Sequence, residues 1–118
     1  MNALEQKNIK FINKIIDGEV YKMATGGIGH IQSIKSIDAL NKYIDMTTIT
    51  INGNFTSIQD DPDVSSNYEV AFITPNGIEI MDEDVENVVD LVPLQEFKEI
   101  LIAWRDFLLT PPLNGTKI

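Results

Sequence analysis

The chain lacks cysteine, has one histidine and one tryptophan, and is poor in basic residues: nine lysines and arginines against eighteen acids in 118 positions. Without cysteine there is no disulfide framework and no thiolate metal site. With His30 the only histidine, neither a multi-histidine metal site nor a His–His acid/base pair fits within one chain. No apolar run approaches the roughly 20 residues that a membrane-spanning helix needs. The opening stretch MNALEQKNIKFINK lacks the basic start, apolar centre and small-residue cleavage site of a secretory signal. A cytoplasmic protein without membrane attachment is therefore expected. In that setting Asn54-Phe55-Thr56 and Asn114-Gly115-Thr116 are chance matches to the glycosylation pattern.

What is present is ordinary in amount and uneven in place. Hydrophobic residues make 43% and charged residues 23%, enough for one domain with its own core. The net charge of −9 lies almost wholly in the second half. Residues 1–59 carry six lysines and five acids, whereas residues 60–118 carry thirteen acids and only Lys98, Arg105 and Lys117. Such a surface repels phosphates and favours a basic partner, by steering as much as by contact. Direct nucleic-acid binding is not expected.

Periodicity predicts a helix over residues 3–16, opened by a capping box at Asn2 and Glu5. Leu4, Ile9, Phe11, Ile12, Ile15 and Ile16 fall on one arc at 100° per residue, with Lys7, Lys10 and Lys14 opposite. Gly18 would stop it, although Asp17-Gly18 also suits a tight hairpin. Residues 19–24, EVYKMA, read as a strand, and TGGIGH as a loop. Ser36 is a candidate N-cap for a short helix carrying Ile37, Leu40, Tyr43 and Ile44. TTITI at 47–51, Asn52-Gly53 and the run 55–59 form a hairpin signal. Residues 68–74 read as a strand, Pro75-Asn76-Gly77 as a turn, and 78–81 as a strand. MDEDVENVVDLV fits either a helical turn or a strand.

The closing segment, VPLQEFKEILIAWRDFLLTPP, is the most strongly patterned. A helix starts at Pro93 and ends at Pro111-Pro112. Leu94, Phe97, Ile100, Leu101, Trp104, Phe107 and Leu108 line one arc, each side chain contributing about 1.5–3 kcal/mol if buried. Ile102 and Leu109 fall off the arc, as ordinary exposed apolars or a small contact patch. The sum is a single α+β domain over 1–118: about five mostly antiparallel strands packed with an N-terminal and a C-terminal helix.

Four features invite chemistry. Asp61, Asp63, Ser65, Asn67 and Glu69 are spaced like the start of a calcium loop, but Ser66 and Phe72 stand where that loop needs glycine and a bidentate glutamate. A solvated acidic loop is the better reading. His30 alone is a general base only if a pocket forms around it. Gly26-Gly27-Ile28-Gly29 lacks the lysine and hydroxyl of a P-loop and no clear helix follows. Asp82, Glu83, Asp84 and Glu86 read as an exposed acidic face, since acid/base work needs a pocket that separates their pKa values. No metal or other cofactor is expected.

The run Val92-Pro93-Leu94, Glu96-Phe97, Ile100-Leu101, Trp104, Phe107-Leu108 resembles a closing helix of the form PLxEFxxILxxWxxFL. That helix occurs in small bacterial proteins encoded beside polymorphic toxins, including immunity proteins of contact-dependent growth inhibition systems. The resemblance is confined to this helix and consists of core-type residues, so it carries over no binding residues. It implies a small, cytosolic, non-catalytic, cofactor-free inhibitor of a cognate toxin, acting as a monomer or weak homodimer. A nuclease toxin has a basic cleft that an acidic inhibitor can occupy. The charge pattern then nominates Asp60, Asp61, Asp63, Asp82, Glu83, Asp84 and Glu86 as the partner-binding residues. Two alternatives stand beside it. One is an oligomeric structural or regulatory subunit, using Ile102, Leu109 or an edge strand. The other is a small enzyme built on His30.

Overall fold

The computed structural model describes residues 8–25, 33–59, 61–66 and 69–111. Within them, five strands and two helices form an α+β arrangement with two antiparallel sheets. Strands β1 (Lys10–Ile16) and β2 (Glu19–Thr25) make a two-stranded sheet. Strands β3 (Ala71–Thr74), β4 (Gly77–Met81) and β5 (Val88–Val92) make a three-stranded one in that order. Helix α1 runs Ile37–Ile51 and helix α2 runs Leu94–Leu108.

The helix expected over residues 3–16 is corrected for its described part: residues 10–16 are β1. Asp17 and Gly18 both take positive φ, 51° and 81°, as a two-residue turn between twisted strands demands. The isoleucines that fit a helical arc divide between the two faces of a strand instead. Phe11 turns inward and stacks on Phe107 at 5.2 Å and against Trp104 at 5.3 Å. Ile15, on the same side but nearer the turn, remains 72% exposed.

The hairpin expected at Asn52-Gly53 is a helix end. Thr47 to Ile51 continue α1, and three threonine hydroxyls donate to carbonyls one turn back: Thr47 to Tyr43, Thr48 to Ile44, Thr50 to Met46. Thr47 and Thr50 are thereby buried without an unmet donor. Gly53, at φ 81°, then closes the helix with the N–H groups of Gly53 and Asn54 bonded to the carbonyls of Thr50 and Ile49. Residues 55–57 form a 3-10 turn, not a strand. At the other end Ser36 caps as expected, its hydroxyl accepting from the Ala39 N–H at 3.2 Å.

Other expected elements stand. The strand expected at 19–24 is β2, that at 68–74 contains β3, that at 78–81 is β4, the turn at Pro75-Asn76-Gly77 joins these two, and the closing helix is α2. Helices α1 and α2 pack on each other and cover one face of the larger sheet. On that face Ala71, Ile73, Ile78, Ile80 and Val92 are buried against Leu40, Ile44, Phe97, Ile100 and Leu101. Trp104 is fully buried and donates its indole N–H to the Ile34 carbonyl. Ile102 belongs to the margin of this core, so it forms no outward patch with the exposed Leu109.

Candidate functional site

Each nominated acid among the described residues is placed by the sheet. Residues 62–66 run along the outer edge of β3: the Ile73 N–H donates to the Pro62 carbonyl and the Val64 N–H to the Ala71 carbonyl, each at 2.9 Å. Val64 is buried in this contact. Asp61 and Asp63 turn the chain into that path. The carboxylate of Asp61 accepts the Asp63 N–H at 3.1 Å, and that of Asp63 accepts the Ser65 N–H at 2.8 Å. The two-residue spacing that resembled a calcium loop thus serves successive side-chain-capped turns. Among the described residues no group of three or more histidine, cysteine or acidic side chains is placed to hold a metal ion.

The second cluster sits where β4 turns into β5. Asp82 builds this turn. Its N–H donates to the Asn87 carbonyl, its carbonyl accepts from the Val85 N–H, and its carboxylate accepts both the Asn87 side-chain amide and the Glu86 N–H, each of the last two at 2.9 Å. The amide of Asn87, and after it the Glu86 N–H, hold the Asp82 carboxyl below its usual pKa. Val85 takes φ 57°, uncommon for a β-branched side chain, and is carried by these bonds. On this frame Glu83, Asp84 and Glu86 are exposed. Asp82 is therefore chiefly a scaffold residue, and the three others are the ones offered to solvent.

The two clusters lie on opposite sides of the sheet's strand order. Asp63 pairs with Phe72 beyond β3, while the 82–87 turn leads into β5 at the other edge. Three strand spacings of ~4.8 Å separate the lines of Asp63 and β5. Asp60 lies outside the described residues, as do His30 and the Gly26–Gly29 stretch. Asp61 and Asp63 instead share a shallow groove with Lys42 and Tyr43 of α1, and a neighbouring groove on that helix adds Asp38 and Asp45. Those two helical acids escaped the sequence reading because the first half is nearly neutral. Asp90, exposed on β5, escaped it because a lone acid in a strand pattern carries no signal.

Among the described residues the edge next to the second cluster is open. Register shifts between Ile80 and Met81, leaving Val89 as the extra residue on β5. Among the described residues nothing pairs with the outer side of β5, and Val88, Val89 and Leu91 are all at least 47% exposed. No lysine, arginine or histidine occurs between Lys42 and Lys98.

A different pairing of charge occurs beside α2. Lys22 is fully buried, its ammonium donating to the Asn13 side chain at 3.0 Å and lying 4.2 Å from the Phe107 ring centre. Lys35 donates to the Lys22 carbonyl and lies 5.5 Å from the Trp104 ring centre. Burial lowers the pKa of both ammoniums, and for Lys35 the nearby Lys22 charge adds to it. The ring faces supply part of the compensation that a carboxylate would give.

No helix of the described residues is long and apolar enough to cross a membrane. No family model matches this chain, and neither the curated proteins nor the solved structures give a match.

Proposed function

We propose that the chain is an immunity protein that binds and neutralises a cognate bacterial toxin, most readily a nuclease domain with a basic surface. It acts by occlusion and not by catalysis. The observation that carries this reading is the 82–87 turn: Glu83, Asp84 and Glu86 stand exposed on a frame stapled by Asp82, beside an apolar strand edge that nothing pairs among the described residues. A rigid acidic projection next to apolar surface has the composition of an interface core with its rim. A backbone fixed before contact under these acids reduces the conformational freedom lost on binding. The closing-helix resemblance supports the same reading.

The separation of the two clusters sharpens the proposal. Asp61 and Asp63 are engaged in turning the chain beside β3, whereas Glu83 and Asp84 lie in the turn from β4 to β5. The 82–90 surface is therefore the contact, with Asp90 added to it. The test is a pull-down of the tagged chain against the toxin-domain product of a neighbouring gene, with toxin activity as the second readout. Binding that suppresses activity and weakens with salt is expected. Absence of binding at low salt would remove the proposal.

A further inference from the structure

We propose that the chain also binds a second copy of itself, with β1 of one molecule pairing along the open outer edge of β5 of the other. The toxin reading is not needed for this contact, but both use the β5 edge, so self-association and toxin binding exclude one another there. Its first support is the asymmetry of the larger sheet. The β3 edge is closed by residues 62–66, with Val64 buried against it, whereas β5 has no partner among the described residues. The smaller sheet has the matching property: β1 pairs only with β2, leaving its other edge unpaired among the described residues. An exposed apolar strand edge is a template for another strand.

The second support is side-chain content. Strand β1 exposes Ile12, Ile15 and Ile16, and β5 exposes Val88, Val89 and Leu91. These are six of the nine large hydrophobic side chains that stand exposed among the described residues.

The third support, charge, selects the pairing. Strand β1 carries Lys10 and Lys14, both exposed, and no acid. Residues 82–92 carry five acids and no base. Like charges opposite one another weaken a strand pair, so β1 on β1 and β5 on β5 are both disfavoured. The pairing of β1 on β5 brings the lysines to Asp90 of β5 and to Glu86 in the turn that precedes it. Within one molecule β1 pairs with β2 and is held by Phe11 against Trp104 and Phe107, in a different sheet from β5, so a β1 strand on the β5 edge comes from another copy. Mutual exchange closes such a contact as a dimer, and one-way addition extends it as a chain.

Sedimentation of the full chain over a rising concentration series tests this. The wild type is expected to self-associate. Lys10→Glu with Lys14→Glu, and separately Glu86→Lys with Asp90→Lys, are each expected to weaken association about tenfold, the effect of about 1.4 kcal/mol. An equimolar mixture of the two doubly substituted proteins restores opposite charge across the contact and is expected to associate again. A wild type that stays monomeric overturns the proposal. So does association that both variants leave unchanged, or a mixture that does not recover it. Should a charge swap fail to fold by circular dichroism, Val89→Lys, at a 62% exposed position, replaces it and is expected to weaken association as well.

Discussion

Trp104 donates its indole N–H to the backbone carbonyl of Ile34 at 2.8 Å, across seventy positions of sequence. The bond joins the closing helix to the segment that leads into α1, with the Trp104 ring buried between the hairpin and the core. Trp104→Phe removes the donor, strands a carbonyl and leaves unfilled volume. A loss of about 2–4 kcal/mol in urea unfolding is expected. A loss under about 1 kcal/mol would show that this bond and its packing contribute little.

Gly77 begins β4 at φ 134°, and a Cβ there would lie 2.8 Å from the Val92 carbonyl oxygen. Neither the φ nor the backbone neighbour can relax cheaply. Gly77→Ala is therefore expected to cost on the order of 2 kcal/mol or more and to disturb the β4–β5 pairing. Thermal unfolding measures the first effect and amide exchange on β5 the second.

Asp82 staples the acidic turn through its carboxylate. Because its pKa is lowered on folding from the ordinary value of 3.8, its contribution is fully present above that value. The contribution is lost as pH falls through the lowered one. Asp82→Ala is expected to abolish protection of the Glu86 amide at neutral pH, while Glu83→Ala leaves it unchanged. Equal protection in both variants would contradict the scaffold role.

The buried Lys22 follows the opposite logic. Its protonated form is disfavoured by burial, so folding carries a penalty below the lowered pKa that fades as pH rises toward the ordinary 10.5. Lys22→Met keeps contact with Phe107 without the charge. The variant is expected to unfold at higher temperature than wild type at pH 7, with the gap narrowing toward pH 10. A variant less stable at both pH values would mean that the Asn13 bond and ring contact outweigh desolvation.

Much of the fold was legible where burial is one-sided and long. Helix α2 shows this: Phe97, Ile100, Leu101, Trp104 and Leu108 all occupy the face that periodicity assigns. Local signals failed where one residue type serves two structures. Asn52-Gly53 offers positive φ, which a tight hairpin and a helix end both require, and only the packing of Thr47 and Thr50 decides between them. The run Ile9, Phe11, Ile12, Ile15, Ile16 fits a helical arc as well as a strand. The choice is made by the turn at Asp17-Gly18 and by Phe11 meeting Trp104, a contact ninety-three positions away.

For the site, sequence located the acids but not their grouping. Asp61 and Asp82 look alike in the chain, yet one precedes the segment along β3 and the other begins the turn from β4 to β5, and hydrogen bonds assign both to turns. The exposed Glu83, Asp84, Glu86 and Asp90 can be grouped as one proposed surface only because β5 ends the sheet among the described residues.

The most direct measurement is the affinity of the chain for the toxin-domain product of a neighbouring gene. It compares wild type with Glu83→Lys, Asp84→Lys, Glu86→Lys combined, at low and high salt. The account expects tight wild-type binding that salt weakens and that the triple reversal weakens at least about a hundredfold, or about 2.7 kcal/mol. Binding untouched by the reversal, or none for the wild type at low salt, would contradict it.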